Sequence, residues 1–226
     1  DFLLYLSGPG VYDSPQVDVE LTSVPGKNGD IIRENAKRGQ RRFKNLDITY
    51  KAFFFDALPS RTASVKSWLL SPVGYQVLHD TYDPDFFRMA TCKEALAFEV
   101  SRNKGASMEL KFHCQPQRWS IEGQRKVRMD SAGVLLNPYE FPSKPIIRAY
   151  GSGEAKLYVG SELITIQSID GYVDLNCETH NAYNASGFCN NTIKSDDFPE
   201  LVPGKNRISW TGGIDHLEIT PRWWTL

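Results

Sequence analysis

The stretch LDITYKAFFF, residues 46–55, decides the fold class. Its residues alternate or run β-branched and aromatic, which is typical of a strand with one buried face. The same period of two recurs along the chain, with Gly, Pro, Asn or Asp between the segments, at 17–21, 75–80, 95–100, 107–114, 155–160, 163–166 and 207–210. The sequence therefore predicts a mainly β protein with antiparallel strand pairing.

One segment departs from this period. LPSRTASVKSWLLSP, residues 58–72, places Val65, Trp68 and Leu69 at positions i, i+3 and i+4. A proline near each end favours a helix start and a helix stop. This pattern predicts a single helix over residues 60–70 that lies on a sheet.

The pattern of strand-like segments and turn residues changes near residue 135. NPYEFPSKP begins at Asn137, and short strand patterns separated by glycine follow it to the C terminus. A chain of 226 residues is long enough for two domains. We therefore predict an N-terminal β domain over 1–135 and a β-sandwich over 136–226.

Two glycines mark the clearest local signal of the second domain. Gly212 and Gly213 separate NRISW from IDHLEIT. Tight hairpin turns need positive φ, which glycine adopts without steric cost. The sequence predicts a closing β-hairpin at this pair.

The pentapeptide VPGKN occurs twice, with Pro25 and Gly26 in the first copy and Pro203 and Gly204 in the second. A phosphate-binding loop needs an upstream Gly and a Ser or Thr after the Lys, and neither copy has them. Proline followed by glycine suits positions i+1 and i+2 of a type II turn. Because the flanking sequences do not align, we interpret the repeat as two similar turns and not as a duplicated domain.

Composition excludes several classes of protein. The residues are 41% hydrophobic and 23% charged, and the net charge is −1. This balance gives no global attraction to nucleic acid or to an anionic membrane, and no apolar run approaches the ~18 residues of a membrane helix. Specific nucleic-acid binding and membrane insertion are not predicted.

Candidate metal and catalytic groups are weak. Cys177, His180 and Cys189 offer three of the four ligands of a structural zinc site, and Asp80, Asp83 and Asp85 lack the spacing of a calcium loop. The four cysteines show no C-x-x-C spacing, and we interpret them as reduced thiols, with disulfides as the alternative. We predict no metal, no cofactor and no enzymatic activity.

A basic run stands out in the N-terminal region. RENAKRGQRRFK, residues 33–44, has one acidic and six basic side chains, a net +5. It could bind nucleic acid, or it could form a projecting hairpin arm that meets an acidic surface of another subunit. We favour self-assembly through an arm, carried by Arg33, Lys37, Arg38, Arg41, Arg42 and Lys44.

These features together resemble one family across nearly the whole chain. The segments are VPGKNGDII with the basic run, WLLSPVGYQVLHDTYDPDFFRMA, FHCQPQRW, NPYEFPSKPIIRAYGSG and FPELVPGKNRISWTGGIDHLEITPRWWTL. In their order and spacing they resemble the distal tail proteins of long-tailed, non-contractile bacteriophages and prophages.

The resemblance implies a structural virion protein made in the bacterial cytoplasm and located at the tail tip. Six N-terminal domains, each with an arm at about 30–45, would form a ring, and a galectin-like β-sandwich would lie outside it. The ring would join the tail tube to a tail-associated lysin, fibre or receptor-binding protein and anchor the host-attachment apparatus.

A second hypothesis is a saccharide-binding sandwich that contacts the bacterial cell wall. Exposed Tyr183, Trp223 or Trp224 would then face the ligand. The His-x-Asn-Pro-Arg strand of galectins is missing from this sequence, and the second domain has no room for an inserted carbohydrate-binding module.

Overall fold

The computed structural model describes residues 4–34, 36–37, 40–56, 59–101 and 105–226. Backbone contacts divide the chain into two compact units, Asp1–Gln117 with Leu226 and Arg118–Thr225. The division falls before the boundary expected near residue 135, because strands at Val127–Met129 and Gly133–Asn137 pair within the second unit.

The first unit contains one helix and eleven strands among the residues described. They are β1 (Tyr5–Leu6), β2 (Val11–Tyr12), β3 (Val19–Ser23), β4 (Asp30–Glu34), β5 (Ala36–Lys37), β6 (Gln40–Arg41), β7 (Leu46–Phe55), α1 (Pro59–Leu70), β8 (Gln76–Leu78), β9 (Phe86–Thr91), β10 (Glu99–Ser101) and β11 (Gly105–Cys114). The mainly β class and the single helix predicted from the sequence are confirmed.

Strand β7 lies at the centre of the main sheet of this unit. It pairs antiparallel with β11 over the full length of both strands, and with β1 and β2 on its other edge. Beyond β11 lie β10 and β9, and β8 pairs with β9.

Alternate residues of β7 build the first core. Ile48, Tyr50 and Phe54 are buried together with Ala52, while the odd-numbered residues of the strand face the other side of the sheet. Val65 of α1 joins the same cluster with no exposed surface, and Leu69 packs against it. Trp68, which the helical pattern placed on the same face, is half exposed instead.

The second unit is built from three long strands with shorter ones at their sides. Its strands are β12 (Arg118–Ser120), β13 (Val127–Met129), β14 (Gly133–Asn137), β15 (Ile146–Val159), β16 (Glu162–Asn176), β17 (Asn181–Asn184), β18 (Gly187–Phe188), β19 (Ile193–Lys194), β20 (Gly204–Thr220) and β21 (Trp224–Thr225). Strand β15 pairs antiparallel with β16 on one edge and with β20 on the other.

The predicted hairpin at Gly212 and Gly213 is wrong. Both glycines lie inside β20, which runs unbroken over 17 residues. A Cβ atom on Gly212 would lie 2.4 Å from the Glu154 carbonyl oxygen, and one on Gly213 would lie 1.7 Å from the Ser152 carbonyl oxygen. The pair is therefore needed for a close approach between two strands, where the register of β15 with β20 shifts.

Matching glycines occur in the neighbouring strands. Gly151 of β15 is in register with Gly171 of β16, and a Cβ on Gly151 would lie 1.8 Å from the Gly213 carbonyl oxygen. Residues before and after this line of glycines contribute to one core cluster. We conclude that the long strands bend here, so that two halves of one sheet enclose a common core.

Candidate functional site

The described residues of the segment 16–44, which are 16–34, 36–37 and 40–44, form antiparallel strand pairs, and this segment is called the arm below. At its base, Lys44 N donates to Gln16 O at 2.8 Å and Asp18 N donates to Arg42 O at 2.8 Å. Strands β3 and β4 then pair as a two-stranded sheet, and β5 pairs antiparallel with β6. The arm therefore begins before the basic run at residues 33–44.

The first VPGKN copy makes the turn between β3 and β4. Lys27 N donates to Val24 O at 3.1 Å, and Gly26 has a φ of 81°. These are features of a type II turn with Pro25 at position i+1.

The charges of the arm are partly balanced within it. Arg33 lies opposite Glu20 in the register of β3 and β4, and Arg41 Nη2 lies 2.9 Å from Glu34 Oε1. Exposed ion pairs of this kind contribute little stability. Arg42 and Lys44 are exposed at the base, whereas the Lys37 side chain and Arg38 lie outside the described residues.

The arm also exposes apolar side chains that the sequence did not single out. Leu21 and Ile32 face each other across β3 and β4 and are 58% and 61% exposed. Ile31, on the other face of the ribbon, is exposed as well. The alternation over 17–21 includes Leu21, whereas Ile31 and Ile32 are consecutive, and a strand pattern alone does not show which face remains uncovered.

A cavity of about 410 Å³ lies in the same unit, between α1 and residues of the sheet, and is called the helix cavity below. Most of its lining is apolar or aromatic, and Trp68 and Tyr82 at the cavity are half exposed. The residues that line it are Leu4, Tyr5, Leu6, Tyr50, Trp68, Leu69, Leu78, His79, Asp80, Thr81, Tyr82, Leu110 and Phe112. Its size lies within the range of ligand pockets in proteins.

Asp80 holds the loop beside the helix cavity. Its Oδ1 accepts hydrogen bonds from the backbone N of Tyr82 and Asp83 at 2.8 and 3.0 Å, and its Oδ2 accepts one from the Tyr50 hydroxyl. The carboxylate thus stabilises a turn and accepts a hydrogen bond from a buried tyrosine. Within the described part of the chain, no group of three His, Cys, Asp or Glu side chains could hold a metal ion.

The second VPGKN copy is held by a side chain. Asn206 Oδ1 accepts from Val202 N at 2.8 Å, and its Nδ2 donates to Val202 O at 2.8 Å and to Gly204 O at 3.1 Å. Gly204 has a φ of 82°. The segment with Pro203 leads directly into β20. The two copies therefore differ in structural context, because the first connects β3 to β4 and the second begins β20.

The aromatic residues proposed to face a saccharide differ in their burial. Trp223 belongs to the core cluster of the second unit and is buried. Its backbone and Cβ lie close to Gly123. Trp224 is partly buried, stacks on Phe141 at 4.5 Å and donates from Nε1 to Pro142 O at 2.9 Å. The burial of Trp223 contradicts a ligand-facing role for it, whereas Trp224 and Tyr183, which is half-buried on β17, keep that role as a prediction.

A continuous row of polar and aromatic residues crosses the second unit instead. One register position on successive strands carries Arg128, Glu218, Arg148, Asp174, Tyr183 and Phe188. Arg148 binds Asp174 through two hydrogen bonds of 2.7 Å, and its guanidinium lies 4.3 Å from the Tyr172 ring centroid. Hydrogen bonding to Asp174 raises the pKa of Arg148, and a hydrogen bond from Lys126 lowers the pKa of Glu218.

The four cysteines are free thiols. Burial raises the pKa of Cys114 to about 12, and it also raises the pKa of Cys177. His180, the third residue of the zinc hypothesis, is exposed and stacks on Phe198 at 5.5 Å. Burial and ring packing therefore account for the positions of these side chains in the fold.

No protein-family model matches the sequence, and no curated protein matches it significantly. The structure is similar to the crystal structure of the SPP1 Dit (gp 19.1) protein, described as a paradigm of the hub adsorption apparatus in phages that infect Gram-positive bacteria. The TM-score is 0.69 at 13% sequence identity, and the match covers 99% of this chain and 92% of that chain. The chain has a Dit-like fold.

The Dit-like fold extends over both units of the chain. At 13% sequence identity the similarity concerns the path of the backbone. It does not extend to the side chains of the arm or of the helix cavity. Within the described residues, no helix is long and apolar enough to cross a membrane.

Proposed function

We propose that the protein is a structural component of a phage tail and forms the hub at its distal end. The Dit-like fold over 99% of the chain is the observation that supports this role. In the proposal, six copies form a ring in the virion that joins the tail tube to a tail-associated lysin, fibre or receptor-binding protein. The work is mechanical and needs neither a cofactor nor a catalytic residue.

The arm supports self-assembly. A two-stranded ribbon is marginally stable alone in water, and this one exposes Leu21, Ile31 and Ile32. Exposed apolar groups that lie together are typical of interaction sites. Contact with a second copy would bury them, and the basic side chains along the arm would guide the approach.

Light scattering over a range of protein concentrations, followed by negative-stain imaging, tests the ring. We expect the unmodified chain to form a ring of six copies. The double variant Leu21→Ser/Ile32→Ser should remain monomeric with unchanged unfolding behaviour. Val134→Ser/Leu136→Ser is the matched control, since these residues of β14 are 55% and 58% exposed, and this variant should assemble.

Two results would contradict the proposal. A strict monomer at every concentration, and also in the presence of tail partners, would exclude a ring-forming hub. Assembly of Leu21→Ser/Ile32→Ser as strong as that of Val134→Ser/Leu136→Ser would exclude the arm as the contact.

Saccharide binding by the second unit is a second candidate function. It is favoured by the row that ends in Phe188, which is 79% exposed, next to half-buried Tyr183. Aromatic faces beside charged groups can stack on apolar sugar faces while the charged groups bind hydroxyls. Titration with host wall polysaccharide should show binding that Phe188→Ala weakens and Val134→Ala leaves unchanged; no binding by the unmodified chain would remove this candidate.

A further inference from the structure

We propose that the arm of one copy places Leu21 and Ile32 in the helix cavity of the neighbouring copy. This inference rests on the proposed self-assembly and names the surface that receives the arm. The receiving surface comprises α1, the start of the chain and the loop 79–82.

The described residues of the arm do not line the helix cavity of their own chain. Among the described residues, none that lines the cavity belongs to residues 16–44, and Leu21 and Ile32 are more than half exposed. Two apolar features of the same unit are thus open to solvent, one projecting and one concave.

The two surfaces match in apolar character. Leu21 and Ile32 lie side by side on one face of the ribbon, because they are paired in register. The helix cavity presents leucines and aromatic rings, with Trp68 and Tyr82 half exposed at the cavity. Apolar anchors in pockets lined by aromatic residues are typical of the residues that dominate binding energy at interfaces.

The two surfaces also match in charge. Residues 33–44 carry a net +5. The segment 73–86, which contributes Leu78, His79, Asp80, Thr81 and Tyr82 to the cavity, has three aspartates and no lysine or arginine. Opposite charges across an interface raise the rate of association and suppress wrong partners. Helix α1 adds Arg61 and Lys66 to the receiving surface, and the whole arm over residues 16–44 carries a net +3. The acidic loop is therefore the side of the cavity that attracts the basic residues of the arm.

The geometry of such a contact explains closure into a ring. The arm and the helix cavity are different surfaces of one chain, so each copy both donates an arm and receives one. A heterologous contact of this kind forms a closed ring when its rotation closes, and a filament when it does not.

Cross-linking between single-cysteine positions tests the contact in the full chain. One preparation carries Leu21→Cys and the other carries Tyr82→Cys, and the two are mixed with a short bismaleimide under assembly conditions. We expect a covalent dimer in this mixture at a yield at least tenfold above that of the unmodified chain, which controls for the native thiols. Leu21→Cys mixed with Val134→Cys is the matched control, and it should give background yield.

A charge variant gives an independent measurement. Asp85 is exposed in the acidic loop, and Asp215 is exposed in the second unit. Asp85→Asn should slow assembly several-fold at low salt and flatten its salt dependence, whereas Asp215→Asn should leave both unchanged. Equal behaviour of the two variants would count against the charge match.

The outcomes separate this inference from the proposed function. If rings form but Leu21→Cys fails to cross-link to Tyr82→Cys, the arm binds elsewhere and the inference is overturned while the hub role stands. If no assembly occurs at any concentration, the ring and the inference both fail. Cross-linking confined to the Leu21 and Tyr82 pair supports both.

Discussion

Replacement of Gly213 by alanine should unfold the second unit at much lower denaturant than replacement of Gly153. A Cβ on Gly213 would lie 1.7 Å from the Ser152 carbonyl oxygen, although real Cβ contacts are essentially never shorter than 3.0 Å. Strands β15 and β20 would have to move apart by more than 1 Å at the bend that shapes the core. We expect a loss of at least ~4 kcal/mol in the free energy of unfolding, the size that marks severe mechanisms.

Gly153→Ala is the matched control, because it lies in β15 at the same bend. Its φ is 79°, and a Cβ there would meet no atom within 4 Å. The cost is therefore only the left-handed conformation of an alanine, about 1–2 kcal/mol. Gly213 does not have a positive φ, so the cost of its replacement comes from the close approach alone.

Urea unfolding followed by tryptophan fluorescence measures this difference. Of the five tryptophans, Trp119, Trp210, Trp223 and Trp224 belong to the second unit, so the signal reports mainly on it. A hairpin turn at Gly212 and Gly213 would give both variants costs of about 1–2 kcal/mol. Losses that agree within ~1 kcal/mol would therefore refute the bent-strand structure.

Three further predictions concern single side chains. Arg148→Met should cost about 3 kcal/mol in urea unfolding, because the carboxylate of Asp174, only 5% exposed, loses its cation; equal losses in Arg148→Met and Arg148→Met/Asp174→Asn would contradict this. Burial raises the pKa of Cys114 to about 12 from 9.0, so its contribution to stability is present below pH 9 and decreases by up to ~1.4 kcal/mol per pH unit from pH 9 to 12. Cys114→Ala should lose less stability than the unmodified chain between pH 8 and 10.5. Val65→Ala should cost about 2 kcal/mol, whereas Val73→Ala, at a residue 92% exposed, should cost nothing measurable.

Local signals predicted β7 and α1 well. The strand predicted over 46–55 has the same bounds in the structure, and the helix predicted over 60–70 runs from Pro59 to Leu70. In both cases the information is contained in the segment itself, as a period of two or as flanking prolines. Strand β9 was missed, because FFRMAT follows a cluster of aspartates and shows no clear alternation.

The glycine pair in β20 shows where local reasoning ends. Gly212 has the positive φ, 85°, that a hairpin turn would also require. A tight turn and a bent strand thus place the same demand on the residue, and glycine satisfies both. The difference lies in β15, more than 50 residues earlier in the chain, whose Ser152 and Glu154 carbonyls approach the pair. No window of sequence around Gly212 contains that information.

The arm shows the converse limit, because its charge is visible in the sequence while its exposed apolar residues are not. Charges are counted without knowledge of the fold, so the basic run directed attention to residues such as Arg41. In the structure, Arg41 already has a partner in Glu34, whereas Leu21 and Ile32 pair with each other and remain more than half exposed. Exposed ion pairs contribute little to the free energy of association, and burial of aliphatic surface contributes more. Assembly should therefore depend more on Leu21 and Ile32 than on Arg41, and the charges should govern its rate more than its strength.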